Sequence, residues 1–297
     1  MRGSRPVRVD GHLHLFEAVS EKYPREVHPL FPAELSAPVE GFIEVMDDNG
    51  IDCAVIVPLS HHDEYLEYCL SKYPERLRGI GIYNPEADDP AGDFRKRRRR
   101  SGISGLRVFD LRAGGEEKVE DIRELKIYSL LEAMEDEGSI LWYYWSEEQI
   151  PLLEDVLKDF PELTVAMNHL GFTQAGFEVD ELGRPQVKSK VPPSSLPVLL
   201  ENGKKYKNLY VMFSGEYALS EEEFPFLDFK PVVEQIYSVF GAERMFWASD
   251  YPWVVEKPGY GRQLELVDVY LPDIPETERD MIMGKTAARL FGFPQIV

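Results

Sequence analysis

The sequence predicts an α/β protein built as a closed (β/α)8 barrel, on three observations. Eight short apolar stretches recur along the chain, each followed by a stretch with helical signals. Those stretches are apolar throughout and do not alternate, as expected of strands in a parallel sheet covered on its outside. The length of 297 residues is one that such a barrel uses as one unit, so residues 1–297 are expected to form a single domain. An open doubly wound sheet is the runner-up, and the lack of a Gly-rich dinucleotide loop counts against it.

The elements follow in order. Val7 to Val9 read as a β-branched strand that Gly11 breaks. Residues 15–38, rich in Pro, Glu and Tyr, follow that strand end and read as a lid. Residues 38–49 read as a helix closed by Gly50, and 53–58 as the second strand. The pattern then repeats: helix 65–72 and strand 79–85, helix 93–100 and strand 105–109, helix 125–137 and strand 140–145. Helix 149–160 leads to strand 163–169, helix 195–204 to strand 209–215, and helix 229–240 to strand 244–250. Helical stretches from about residue 263 and over 277–290 close the chain.

Composition narrows the function. A hydrophobic content of 43% supports a sizeable core, and a formal charge of −20 argues against a nucleic-acid partner. The basic run Arg95-Lys96-Arg97-Arg98-Arg99-Arg100 reads as a solvated helix face. Cys53 and Cys69 fall in a strand and a helix and read as small buried hydrophobes of a reducing compartment. With no signal-peptide core and no uncharged run of spanning length, the expectation is a cytoplasmic protein with no membrane partner and a small-molecule substrate. Aromatic residues are plentiful enough for a homo-oligomer, but no stretch marks an interface.

Working residues of such a barrel lie at the C-terminal ends of its strands. Those ends carry His12 and His14, then His61 and His62, Arg107, Tyr143 and Tyr144, His169, Ser214 and Glu216, and Asp250. His12 and His14, two apart on an extended segment, point the same way and begin a metal site, although such pairs also occur as ordinary core residues. Asp250 is either a site carboxylate or a helix N-cap, and His169 either a site group or a backbone-bonded core histidine. Arg107, costly to bury unpaired, should meet a carboxylate, either of Glu216 or Asp110 or of a ligand. His61, His62 and Glu216 are candidates for the rim.

Asp10-Gly11-His12-Leu13-His14, Asn168-His169-Leu170-Gly171 and Met245-Phe246-Trp247-Ala248-Ser249-Asp250-Tyr251-Pro252 resemble the first-, sixth- and eighth-strand motifs of the amidohydrolase superfamily. The likeness is to the branch of TIM-barrel lactonases, 2-pyrone-4,6-dicarboxylate hydrolase and aminocarboxymuconate-semialdehyde-type decarboxylases. The resemblance implies His12, His14, His169 and Asp250 as ligands of one divalent metal, zinc first. It implies Asp250 as general base and His169 as a ligand or as the group polarising a carbonyl. The fifth strand reads Trp142-Tyr143-Tyr144-Trp145, without the histidine that metal-dependent members place there, and this moves the chain toward the lactonases. A tyrosine there would contact substrate. Parity favours Tyr144, and a one-residue shift would substitute Tyr143. Met212 stands where many lactonase-like relatives carry lysine. The expected function is hydrolysis of a small polar lactone, with Arg107, Tyr144, His61 and Glu216 around the substrate. A metal-dependent decarboxylase of an aromatic or semialdehyde acid is the first alternative, and a non-catalytic metabolite-binding barrel the second.

Overall fold

A computed structural model describes residues 5–112, 121–173, 176–187 and 189–293. Its parallel strands are β1 (Val9–Leu13), β2 (Cys53–Ile56), β3 (Leu77–Gly79, continued by Gly81–Ile82), β4 (Gly105–Val108), β5 (Ile140–Tyr143), β6 (Thr164–Met167), β7 (Leu209–Phe213) and β8 (Met245–Trp247). β1 pairs with β2 and β2 with β3, and pairing runs on without a crossover from the second piece of β3 to β8. Beyond the ladders, the Asp250 amide donates to His12 O (3.0 Å) and the His14 amide to Tyr251 O (2.7 Å). The sheet is thus sewn shut between its first and last strands, and the fold is the (β/α)8 barrel.

The helices α1 (Val39–Asn49), α2 (Glu64–Lys72), α3 (Pro90–Ser101), α4 (Tyr128–Asp136), α5 (Leu152–Asp159), α6 (Leu196–Lys205) and α7 (Lys230–Phe240) follow successive strands. The C-terminal segment is more broken than its periodicity suggests: Tyr260–Gln263, Leu266–Tyr270, Glu276–Asp280, a π-helical turn at Met281–Lys285, then Thr286–Phe291. None of the helices among the described residues is long and apolar enough to cross a membrane. Val9, Val55, Trp142, Ala166, Met212 and Phe246 fill the barrel interior, and a larger apolar layer lies between strands and helices.

Two strand boundaries differ from expectation. β1 runs through Gly11, because this glycine answers a packing need: a Cβ there would come within 2.5 Å of the Phe246 ring. β3 begins at Leu77, ahead of the expected start at 79; the charge of Arg78 does not oppose this, since its guanidinium leaves the sheet to lie 4.7 Å from the Phe293 ring.

The basic run is also less solvated than expected. Arg97 on α3 is buried and grips Asp63 with two hydrogen bonds (2.7 and 2.8 Å), while a third reaches Ile82 O at 2.7 Å. Arg98 holds Ile103 O and Ser139 Oγ. Amphipathic reading treats arginine as surface, whereas a bidentate partner from the loop between β2 and α2 draws it in. Replacing Asp63 by Ala strands that guanidinium, and we expect a loss of about 3–5 kcal/mol. At about 2 °C per kcal/mol, the midpoint of thermal unfolding followed by circular dichroism should fall by roughly 6–10 °C.

Candidate metal centre and substrate pocket

β1 carries His12 and His14 into the mouth of the barrel, their rings edge to face with centroids 4.8 Å apart. His14 Nδ1 donates to Val57 O (2.8 Å), which fixes the tautomer and turns an Nε2 lone pair toward the barrel axis. From the opposite end of the chain, Asp250 follows β8 in the left-handed region (φ 61°), a conformation that Asp tolerates better than most residues. Its Oδ1 lies 3.2 Å from His12 Nε2 and 3.3 Å from His14 Nε2. Despite this proximity, His12 Nε2 and Asp250 Oδ1 are buried without an aligned hydrogen bond. Three donor atoms therefore converge on one point.

That donor set suits a divalent ion. Ligands about 2.1 Å from a tetrahedral zinc stand roughly 3.4 Å from one another, and two imidazoles with a carboxylate are common zinc ligands. Among the described residues His12, His14 and Asp250 form the one group of donors so placed. His169 stands outside it. Its Nε2 faces the other carboxylate oxygen, Oδ2, at 4.0 Å, because the chain beyond β6 turns through a left-handed residue (φ 42°) and brings the ring in from the far side. The implied fourth ligand thus becomes a neighbour of the centre.

Burial pushes the His12 imidazolium well below its usual range, and that of His169 down to about 4, so both rings are neutral near pH 7. Burial works against the Asp250 carboxylate, but His169, His12 and His14 overcome it and hold this group below the usual carboxylate range. The result is an ionised carboxylate beside two neutral imidazoles, those of His12 and His169. Tyr217 donates to Asp250 Oδ2 (2.7 Å), and His169 Nδ1 bonds Ser214 Oγ (2.9 Å). Gly215 (φ 88°) lies so close to that imidazole that a Cβ would be 2.8 Å from Nδ1.

A second carboxylate pins the assembly. Asp10 is fully buried and accepts from the Ser249 amide (2.9 Å), Ser249 Oγ (2.5 Å) and Tyr260 Oη (2.8 Å). Burial raises it to about 6, against the pull of these bonds. Beneath His12 the Trp142 ring stacks at 5.6 Å and gives its Nε1–H to Asn168 Oδ1. Trp142 thus packs under the site from β5. Asp10, Ser214 and Tyr217 carry no signal of these roles beyond lying in or beside motif residues.

Above the centre is a cavity of about 260 Å³. Its floor holds His14, His169, Asp250 and Arg107, and most of its walls are apolar. His28, Leu30 and Phe31 of the irregular segment form one wall, so the expected lid reaches the site. Arg25 braces this segment by donating to the carbonyls of Glu17, Phe31, Pro32 and Leu35. Tyr144 lines the cavity, edge-on to His169 at 5.2 Å, whereas Tyr143 points outward and bonds Gln149 Oε1 (2.8 Å). Met212 is in the core below and does not line the cavity.

Arg107 has no carboxylate partner among the described residues. Its guanidinium lies 4.7 Å from the Phe109 ring and 5.2 Å from Tyr144, and Nε is buried without a hydrogen bond. Neither protein carboxylate considered for it takes part: Asp110 accepts from the Arg112 amide, and Glu216 has a buried Oε1 with no hydrogen-bond partner among the described residues. Burial lowers Arg107 to about 10, still charged at neutral pH.

Two expected substrate residues lie elsewhere. His61 stacks on His62 (4.5 Å) in a separate shallow pocket with Arg97 and Arg100, because the turn after β2 carries it outside the mouth. Glu216 opens a single helical turn, Glu216–Leu219, whose Ala218 and Leu219 face the cavity while Glu216 does not line it. Burial raises its carboxyl from 4.5 to about 8. The folded protein therefore keeps a proton that the unfolded chain releases, so this group's stabilisation is complete below pH 4.5 and is lost as pH rises to 8. We expect Glu216→Gln to match wild type near pH 4 and to exceed its stability by roughly 3 kcal/mol at pH 7. Urea unfolding at the two pH values checks this, and a pH-independent difference would refute it.

A family model described as amidohydrolase matches residues 9–293. No curated protein matches the chain. Among solved structures, a proposed 2-pyrone-4,6-dicarboxylic acid hydrolase from Pseudomonas putida is similar at 21% identity and TM-score 0.74, covering 98% of this chain and 99% of that one. An amidohydrolase from Burkholderia multivorans with bound zinc aligns at 16% identity and TM-score 0.69, covering 97% and 100%. The 5-carboxyvanillate decarboxylase of Sphingomonas paucimobilis aligns at 15% identity and TM-score 0.61, covering 97% and 99%.

Proposed function

The chain belongs to the amidohydrolase family, and from that premise we propose that it is a hydrolase opening a small lactone, one barrel acting as one catalytic domain. The observation that carries the reading is an ionised Asp250 whose Oδ2 faces His169 at the floor of a largely apolar cavity. Oδ1 is buried between the His12 and His14 imidazoles, so Oδ2, which faces His169 at 4.0 Å and accepts from Tyr217, is the oxygen that takes a proton from water. That water attacks the lactone carbonyl. When Ser214 Oγ–H donates to His169 Nδ1, Nε2 carries the hydrogen and can meet the developing oxyanion, a role worth ~3 kcal/mol per donor. Asp250 then returns the proton to the leaving ring oxygen. Arg107 and Tyr144 hold the substrate.

His12, His14 and Asp250 would hold the divalent ion, zinc by its two-nitrogen, one-carboxylate donor set. When bound, it supplies Lewis acidity and lowers the pKa of water to ~7. Decarboxylation is the reading to be tested against this one, since a similar fold serves a decarboxylase. A panel of lactones followed by proton release should give ring opening that Asp250→Asn abolishes. Carbon dioxide release from an aromatic acid, with every lactone left intact, would overturn the proposal.

A further inference from the structure

We infer that the substrate is a cyclic monocarboxylate bearing an apolar substituent, with its carboxylate on Arg107 and its apolar part against the wall built by the lid and the loop after β2. This rests on the reading that the cavity above Asp250 is the substrate site. Charge supports it first. Arg107 is the sole Lys or Arg lining the cavity among the described residues, and its buried Nε has no partner. The Arg107 guanidinium, with no carboxylate bonded to it among the described residues, is the place for an anionic group of the ligand, while a second carboxylate would meet apolar wall. One carboxylate, at the Arg107 end, is therefore what this cavity accommodates.

The walls support the rest. Leu30, Phe31, Leu59, Val187 and Leu219 present hydrocarbon to the cavity. A small polyhydroxylated or doubly charged ring would lose water against those side chains without a hydrogen bond from them. Phe109 and Tyr144, both within about 5 Å of the guanidinium, flank the place where the acid binds and favour a flat, unsaturated ring beside it. At about 260 Å³ the space is smaller than that of drug-sized ligands, roughly 300–1,000 Å³. The inferred ring is amphiphilic, with one charged end, and so narrows the small polar lactone expected from sequence.

The test is titration calorimetry on the full chain with four lactones: coumarin-3-carboxylate, coumarin, 2-pyrone-5-carboxylate and 2-pyrone-4,6-dicarboxylate. Coumarin-3-carboxylate should bind at least about tenfold more tightly than each of the others. Arg107→Met should erase its advantage over coumarin. Leu59→Asn should erase its advantage over 2-pyrone-5-carboxylate while leaving the binding of the latter within twofold of wild type, and this arm holds even if Arg107→Met does not fold. Tightest binding of the dicarboxylate, or equal binding of coumarin and its carboxylate, would overturn the inference. Loss of the pyrone absorbance reports ring opening separately. The expected order without ring opening sustains the substrate class and removes the lactonase reading, whereas ring opening with the dicarboxylate preferred does the reverse.

Discussion

Asp250→Asn should lower kcat by about a thousandfold or more, with KM changed far less. The argument is one of geometry preserved and chemistry removed. Asparagine is among the residues most tolerant of the left-handed backbone held at this position (φ 61°), and its amide oxygen can still accept from Tyr217. The fold should therefore survive, and circular dichroism should be unchanged. What goes is the one ionised group facing His12, His14 and His169, and with it the proton acceptor. Steady-state kinetics on the best lactone of the panel measures the loss. Activity retained within tenfold would transfer the role of base to another group.

Much of this site was readable from local pattern. Period-two alternation sends His12 and His14 the same way, and it sends Tyr144 into the cavity while Tyr143 turns out to Gln149. Continuous apolar runs gave strand count and order, because strands buried on both faces tolerate little else. Interactions between distant parts of the chain were not readable. Tyr217 meets Asp250 across 33 residues, Ser214 meets His169 across 45, and Asp10 meets Ser249 across 239. Loops carry no period, so nothing local separates His61, which leaves the mouth, from His14, which enters it. Gly11 misled for a related reason: a glycine signals a turn by frequency, yet here it marks the close approach of an aromatic ring.

The double variant His12→Ala, His14→Ala should lose a bound divalent ion and at least about a hundredfold in activity. Wild type prepared without a histidine tag should carry about one ion per chain by elemental mass spectrometry, since three donors converge there and the His12 imidazole is neutral at pH 7. Arg107→Met serves as the control, because it alters the same cavity without touching a donor atom and should keep its ion. An ion-free wild type whose lactone hydrolysis withstands a chelator would refute this, and Asp250 would then act on water unaided.

The bonds that sew the barrel shut pass through the positions that make the centre. His12 O receives the Asp250 amide, and Asp10 clasps Ser249 across 239 residues of chain. During synthesis, the two imidazoles emerge first and wait for a carboxylate that is translated near the end. A chain short of its eighth strand holds half a coordination shell and no base. The same holds for a finished molecule whose last strand briefly undocks, so bound ion and closed barrel should be gained and lost as a single event. Metal release thus becomes a clock for the opening of the seam between the first strand and the last.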